Sequence, residues 1–264
     1  MSGPRPGPAR ETGPDFGGRA VLVTGGTKGI GAAIARAFLA AGAEVVVGGR
    51  SRPAALPAAG GRPAGFVAAD VRDPAAAALL VERAVARLGR LDVLINNAGG
   101  SPDADAATVS PRFVERVVAL NLLAPFYVAQ PANAVMRAQE TGGSIINIGS
   151  VSAAHPQPGT AAYSAAKAGL LGLTRALALE WAPKVRVNHI TTGPVRTETA
   201  AEVYGADEGA AVAELIPMRR LALPADVAHA CLFLASDLAS YLTGADLPVH
   251  GGGELPARYL VRRN

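Results

Sequence analysis

Short apolar runs that alternate with longer helix-forming stretches constrain the fold of this chain more than any other feature of its sequence. The first run, at residues 19–24, leads through two glycines into an alanine-rich stretch at 30–41, and the same unit recurs along the chain. The runs are continuously apolar, which is typical of strands buried on both faces. This pattern predicts a single α/β domain on one doubly wound parallel sheet, with helices on both faces.

About seven strands are predicted, at residues 19–24, 44–48, 65–69, 91–95, 143–148, 185–190 and 245–250. Helices are predicted at 30–41, 74–88, 111–138, 161–181 and 224–236. Residues 51–65 are rich in proline and glycine and predict a loop. Residues 196–217 contain helical fragments and predict a movable flap.

No break in composition divides residues 19–250, which we expect to form the folded domain. Residues 1–18 are rich in proline and glycine and predict a flexible leader, and residues 251–264 predict a C-terminal tail. The chain is 50% hydrophobic and 17% charged, so it can bury a sizeable core and is not wholly disordered. A single cysteine, Cys231, excludes an internal disulfide framework and a cysteine-cluster metal site.

Charge and hydropathy argue against several classes of function. The net charge of +4 comes from arginines scattered among acids, which indicates a solvated surface rather than a nucleic-acid interface. No uncharged apolar run is long enough to span a membrane. The N-terminal residues lack the apolar core of a signal peptide, so a cytoplasmic protein is expected. No cluster of His, Asp and Glu has the spacing of a metal site.

A glycine-rich turn joins the first strand to the first helix. It reads Thr24-Gly-Gly-Thr-Lys-Gly-Ile-Gly31. Glycines let the backbone approach a pyrophosphate, and the helix N-terminus offers free amides to an anion. A strand-to-helix turn also uses glycine for steric reasons alone, so both readings stay open at this point.

The end of the second strand bears on the kind of nucleotide. The local sequence, Gly48-Gly49-Arg50-Ser51, lacks the acid that usually binds the ribose 2′-hydroxyl of NAD. Arg50, with Lys28 from the glycine turn, suits a 2′-phosphate instead, which favours NADP(H) over NAD(H). Both side chains could also be merely exposed. Asp70, after the third strand, fits either an adenine contact or a cap of the next helix.

Tyr163 and Lys167 form the sharpest motif. Spaced by four residues on a predicted helix, the phenol and the ammonium share one face. Taken alone, such a pair is common by chance and is usually a surface pair. A nearby cation stabilises the phenolate and is expected to lower the tyrosine pKa toward the working range. Ser150 ends the fifth strand, where a serine can hydrogen-bond a substrate carbonyl or merely form a turn.

Taken together and in order, these motifs resemble the classical short-chain dehydrogenase/reductase family from about residue 19 to residue 250. Within that family the chain is most similar to the NADP-preferring type, which includes 3-oxoacyl-carrier-protein reductases and hydroxysteroid dehydrogenases. The matching residues are Thr24-Gly-x-x-x-Gly-x-Gly31, Asp70-Val71, Asn96-Asn97-Ala98-Gly99, Asn121, Ser150, Tyr163-x-x-x-Lys167, Asn188 and Gly193. The resemblance implies a Rossmann-type fold.

The resemblance also assigns roles. Tyr163 would be the general acid/base, Ser150 would polarise the carbonyl, and Lys167 would lower the tyrosine pKa and bind the nicotinamide ribose. Asn121 would hold a water for proton relay, or be structural. The cofactor residues it implies are Gly25, Thr27, Lys28, Gly29, Ile30, Gly31, Arg50, Ser51, Asp70, Val71, Asn97, Ala98, Gly99, Tyr163, Lys167, Gly193, Val195 and Thr197.

One position departs from the family pattern. Thr192 stands where the family usually has proline, so we expect a less rigid entry to the loop that approaches the nicotinamide. Tyr204, in the flap, is a candidate substrate contact. His155, beyond Ser150, is a second candidate, although an exposed loop histidine is the favoured reading there.

The sequence therefore predicts an NADP(H)-dependent oxidoreductase that interconverts a ketone and a secondary alcohol. The alternative is a non-catalytic NADP(H)-binding sensor or scaffold on the same fold. The flap's acids disfavour a free carboxylate, so an apolar or ring-shaped ketone is expected; a β-ketoacyl thioester, a steroid-like ketone and a polyketide or terpenoid intermediate stay open. The resemblance implies a homotetramer, with a dimer as the alternative, and a tail packed on a neighbouring subunit.

Overall fold

The alternating pattern forms one parallel sheet of seven strands. The computed structural model describes residues 13–253 and 255. The strands are β1 (Ala20–Thr24), β2 (Glu44–Gly49), β3 (Gly65–Ala68), β4 (Val93–Asn96), β5 (Gly143–Ile148), β6 (Val185–Thr192) and β7 (Asp246–Val249). Their spatial order is β3-β2-β1-β4-β5-β6-β7, with every neighbouring pair parallel. This confirms the predicted doubly wound α/β fold.

Helices occupy the crossovers between these strands. They are α1 (Gly29–Ala40), α2 (Pro74–Leu88), α3 (Pro111–Val118), α4 (Ala124–Ala138), α5 (Ala161–Trp181), α6 (Ala200–Tyr204), α7 (Ala210–Leu215) and α8 (Pro224–Ala235). The single helix predicted at 111–138 is interrupted by a π turn at Ala119–Leu123. The flap contains the short helices α6 and α7, and the loop at 51–65 contains a hairpin of two-residue strands.

Strand β1 shows why the apolar runs are continuous. All of its side chains are buried, and successive residues point to opposite faces of the sheet. Val21 and Val23 pack in one core with Phe38 of α1, whereas Leu22 packs in the other core with Leu80 of α2. Because both faces are covered, the strand is apolar up to its last residue, Thr24, whose buried hydroxyl is hydrogen-bonded to the backbone after β4.

Ordered packing begins before the predicted boundary of the leader. Phe16 is 3% exposed, and its ring meets that of Phe38 edge-on at a centroid distance of 4.9 Å. Its N–H also donates a hydrogen bond to the carbonyl of Ala41. The aromatic side chain therefore joins the core, which the proline and glycine content around it concealed. Residues 1–12 lie outside the described residues.

Most of the predicted C-terminal tail also lies outside the described residues, which stop at 253 apart from residue 255. Its contact with a neighbouring subunit and the homotetramer stay predictions. Within the part of the chain that is described, no helix combines the length and apolar character needed to cross a membrane.

Candidate active site

The predicted catalytic side chains lie together at the carboxyl edge of the sheet. Ser150 follows β5, Tyr163 and Lys167 lie on α5, and Asn121 lies in the π turn between α3 and α4. The chain reverses its direction of winding between the neighbouring strands β1 and β4. Ligands of open α/β sheets bind at this kind of crevice, so the polar side chains lie where a site is expected.

The hydroxyl of Ser150 lies near the phenol of Tyr163 and acts on its pKa as a hydrogen-bonding partner. The Ser150 hydroxyl also accepts a 3.2 Å hydrogen bond from the N–H of Ser152, and in this way it caps the 3₁₀ turn Val151–Ala153. The turn-forming role that the sequence offered as an alternative is therefore present. The same hydroxyl also contacts the phenol.

Burial raises the pKa of Tyr163 above its ordinary value. The hydrogen bond with Ser150 lowers that pKa, and the nearby Tyr204 raises it. The sequence predicted the opposite net direction, through the cation of Lys167. That prediction is wrong for this structure, because desolvation of the phenolate is the largest effect. The phenol is protonated at neutral pH.

Lys167 is buried beside the tyrosine ring. It is 4% exposed, and its Nζ lies 5.7 Å from the centroid of the Tyr163 ring. The ammonium donates a 2.7 Å hydrogen bond to the carbonyl of Ile148 at the end of β5. Burial lowers the pKa of Lys167 to about 8, because the charged form loses its hydration.

Asn121 holds the loop that follows β4. Its Nδ2 donates to the carbonyls of Gly100 and Val117, at 3.0 and 2.9 Å, and its Oδ1 accepts from the N–H of Gly100 at 2.9 Å. A Cβ at Gly99 would lie 2.9 Å from that oxygen and 3.3 Å from Nζ of Lys167. Only glycine lets the loop pass so close to both groups. Asn121 thus has a structural role here, and the water relay stays a prediction.

The glycine-rich turn is packed too closely for any other residue at its end. A Cβ at Gly31 would lie 2.4 Å from the carbonyl oxygen of Gly25. The Nδ2 of Asn97 donates to the carbonyls of Thr24 and Gly25, at 3.0 and 3.1 Å. Asn97 therefore braces the turn from the end of β4.

A cavity of about 220 Å³ lies between this turn and the ends of β2, β3 and β4. Its walls combine backbone from glycines with the cations of Lys28 and Arg50. Several predicted cofactor residues line it: Gly25, Thr27, Lys28, Arg50, Asp70, Val71, Ala98 and Gly99. Bare backbone beside two cations fits the phosphates of a dinucleotide.

Asp70, the acid of this cavity, is already paired. Its carboxylate accepts hydrogen bonds from the backbone N–H of Arg72, at 3.1 Å, and from its Nε, at 2.9 Å. Hydrogen bonds from the Arg72 side chain hold the pKa of Asp70 below its usual range. The capping role predicted as an alternative is wrong, because Asp73 caps α2 through the N–H of Ala75. The adenine contact stays a prediction.

Comparison with known proteins agrees with this geometry. The family model described as enoyl-(acyl carrier protein) reductase matches residues 25–254. A D-threitol dehydrogenase of Mycolicibacterium smegmatis is 37% identical over 242 residues, covering 89% of this chain and 92% of that protein. The chain belongs to the short-chain dehydrogenase/reductase family.

Two further relatives support this membership. The 3beta-hydroxysteroid dehydrogenase 1 of Eggerthella lenta is 40% identical over 247 residues, covering 90% of this chain and 94% of that protein. The solved structure of a short-chain dehydrogenase/reductase from Serratia marcescens has a TM-score of 0.82 and 31% identity, covering 90% of this chain and 98% of that one. The family implies a nicotinamide cofactor, NAD or NADP.

Other predicted cofactor residues of this short-chain dehydrogenase/reductase lie outside the 220 Å³ cavity, within the described part of the chain. They are Gly29, Ile30, Gly31, Ser51, Asn97, Tyr163, Lys167, Gly193, Val195 and Thr197. The N–H of Val195, expected beside the nicotinamide, donates a 3.1 Å hydrogen bond to the hydroxyl of Tyr204. The N–H of Gly193 donates to Val249 of the neighbouring strand β7.

Thr192 is anchored at the start of the loop that follows β6. It is buried, and its hydroxyl donates a 2.8 Å hydrogen bond to the carbonyl of Gly149 after β5. This hydrogen bond opposes the expected loosening of the loop entry, which stays a prediction. The hydroxyl supplies an anchor that proline, which has no such donor, could not provide.

A second cavity, of about 460 Å³, is lined by Val151, the residue after Ser150, but in the described part of the chain neither Ser150 nor Tyr163 lines it. Its lining contains His155, for which a loop role was favoured, and also His250, which the sequence did not single out. The position of His250 directly after β7 was the signal available, because functional side chains follow strand ends in this fold. Tyr204 is not among the lining residues of this cavity. The described residues contain no group of three acidic, His or Cys side chains that could bind a metal.

Proposed function

We propose that this chain is an NADP(H)-dependent oxidoreductase that interconverts a ketone and a secondary alcohol. The observation that carries the proposal is the contact between Ser150 and Tyr163, with the ammonium of Lys167 buried beside the phenol ring. A proton donor, a carbonyl-binding hydroxyl and a buried cation are the groups that such a reaction needs around the reacting oxygen.

The dinucleotide would lie along the carboxyl edge of the sheet. The turn at residues 24–31 and the backbone of Ala98 and Gly99 would hold its phosphates and sugars. Lys28 and Arg50 line the same cavity and would bind the 2′-phosphate, which supports NADP(H) over NAD(H). When bound, the nicotinamide group supplies or accepts the hydride.

The raised pKa of Tyr163 favours reduction at neutral pH. A protonated phenol donates its proton to the oxygen of a carbonyl as negative charge develops there. Ser150 hydrogen-bonds the same oxygen and orients it. Oxidation of an alcohol needs the phenolate instead, so it is favoured at higher pH.

Lys167 stabilises the phenolate that proton donation leaves behind. Its ammonium faces the Tyr163 ring from 5.7 Å and is held in place by Ile148. Charge stabilisation is stronger in a buried site than in water, because the local dielectric is low.

The second cavity would hold the substrate. Its 460 Å³ suits a small or medium-sized ligand, and apolar side chains and the imidazoles of His155 and His250 line it. The flap's acids do not line this cavity in the described part of the chain: Glu208 pairs with Arg196, and Asp207 caps α7. We still propose an apolar or ring-shaped ketone as the substrate. The prediction that the flap's acids repel a substrate carboxylate is no longer supported, because those acids lie outside the cavity lining.

Turnover with both cofactors tests the function directly. Purified protein is assayed against a panel of cyclic and linear ketones with NADPH and with NADH, and against the matching alcohols with the oxidised cofactors. We expect turnover with NADPH to exceed turnover with NADH. Binding of NADPH without turnover on any member of the panel would favour the sensor or scaffold alternative.

Arg50→Ala tests the cofactor preference. We expect the dissociation constant for NADPH to rise by about 10- to 100-fold, because a charge-assisted hydrogen bond to the 2′-phosphate is lost. The dissociation constant for NADH should change little. Titration of nicotinamide fluorescence measures both constants.

Arg52→Ala is the matched control. Arg52 lies two residues away and stacks over the ring of Phe66 at 5.8 Å, outside the residues that line the cavity. This variant should bind NADPH as the wild type does. Equal losses of NADPH and NADH binding in the Arg50 variant would contradict the assignment to the 2′-phosphate.

A further inference from the structure

A carboxylate of the flap already contacts the helix end where the dinucleotide's phosphates would bind. The Oε1 of Glu198 accepts a 3.2 Å hydrogen bond from the N–H of Gly29, the first residue of α1. A Cβ at Gly29 would lie 3.7 Å from the second oxygen, Oε2. The carboxylate group as a whole therefore lies against the turn, although the two residues are 169 positions apart in sequence.

The N-terminus of α1 has no anion from its own segment. Its N-cap is Lys28, which makes no side-chain capping hydrogen bond, and the first turn contains no acidic residue. A helix N-terminus attracts negative charge through its free N–H groups and its dipole. Glu198 supplies that charge from a distant part of the chain.

No cation neutralises Glu198 among the described residues. Glu208, in the same flap, pairs with Arg196, whereas within residues 13–253 the Glu198 carboxylate accepts a hydrogen bond only from Gly29. A pyrophosphate bound at this turn would lie close to the carboxylate of Glu198. That carboxylate is not neutralised by a cation and would compete with the pyrophosphate for the N–H of Gly29. Like charges at such a distance repel, and a single amide hydrogen cannot serve both acceptors well.

We propose that Glu198 is an internal competitor of the cofactor's pyrophosphate and so sets the affinity of the protein for its dinucleotide. The inference rests on the proposed function. In the free protein the carboxylate occupies the amide of Gly29 and ties the start of the flap to the glycine turn. When the dinucleotide binds, the carboxylate leaves that amide, and the flap segment that begins with α6 is released from the turn.

Glu198→Gln tests this competition because it removes the charge and keeps the size of the side chain. The matched control is Glu202→Gln, which removes a charge from α6 of the same flap. Dissociation constants are measured without substrate, for NADPH by its fluorescence and for 2′-phospho-ADP-ribose by calorimetry. The second ligand carries the pyrophosphate but no nicotinamide.

We expect Glu198→Gln to bind both ligands about five- to tenfold more tightly than the wild type, and Glu202→Gln to match the wild type. Unchanged or weaker binding by Glu198→Gln, while the wild type binds NADPH, overturns the inference and leaves the proposed function standing. An equal gain in Glu202→Gln, or a gain for NADPH alone, overturns it as well. A wild-type chain that binds neither NADPH nor NADH overturns the proposed function and the inference together.

Discussion

Tyr163→Phe is expected to lower the rate of ketone reduction by about 10²- to 10⁴-fold while the protein still binds NADPH. The substitution removes the hydroxyl that donates the proton and that contacts Ser150. It keeps the ring beside which the ammonium of Lys167 lies, so the surrounding packing should persist. Steady-state turnover and nicotinamide fluorescence measure the two properties separately.

Tyr241→Phe is a suitable control, because Tyr241 is fully exposed. It should retain wild-type turnover and stability. If Tyr163→Phe kept its turnover, Tyr163 would have no part in the proton transfer, and the proposed mechanism would be wrong. If it lost cofactor binding in parallel, the loss of turnover would say nothing about acid catalysis.

Lys167→Met is expected to lower turnover by about 10²-fold or more. The variant keeps an unbranched apolar side chain in the buried position but lacks the cation that stabilises the phenolate of Tyr163. The rate is measured at pH 7, where the ammonium, with its pKa of about 8, is still charged in the wild type. Wild-type turnover in the variant would contradict the role given to the ammonium.

The same variant also isolates the free-energy cost of burying the charge of Lys167. The pKa of Lys167 lies below its ordinary value of 10.5, so the unfolded chain binds a proton more readily than the folded chain between about pH 8 and 10.5. The cost of burial is full below pH 8 and disappears as the pH rises to 10.5. Denaturant unfolding should therefore show a pH-dependent gain of about 3 kcal/mol in the wild type that Lys167→Met lacks. Parallel curves for the two proteins would contradict the lowered pKa.

Much of the site was predictable because its signals are local. The spacing of Tyr163 and Lys167 follows from the period of one helix, and both side chains indeed lie together. Close backbone packing in the first turn requires glycine, and the carbonyl oxygen of Gly25 indeed leaves no space for a side chain at Gly31. The alternation of strands and helices likewise predicted the parallel sheet.

Other features depend on segments that are remote in sequence. Phe16 lies among prolines and glycines, and only its contact with Phe38 shows that it belongs to the core. The side-chain amide of Asn121 is hydrogen-bonded to backbone groups that the π turn brings within reach, and no periodicity in the sequence predicts that turn. The hydroxyl of Thr192 can donate its hydrogen bond to the carbonyl of Gly149 only when β5 and β6 are paired.

The sequence by itself determined the fold class, the place of the glycine turn and the identity of the Ser–Tyr–Lys set, because each follows from the spacing of residues that are close in sequence. The tertiary structure decided the electrostatics. Burial by several elements raises the pKa of Tyr163 and lowers that of Lys167, and the fold carries Glu198 onto Gly29 across 169 residues. Desolvation and long-range contact depend on what surrounds a group in space, which residue spacing alone does not encode.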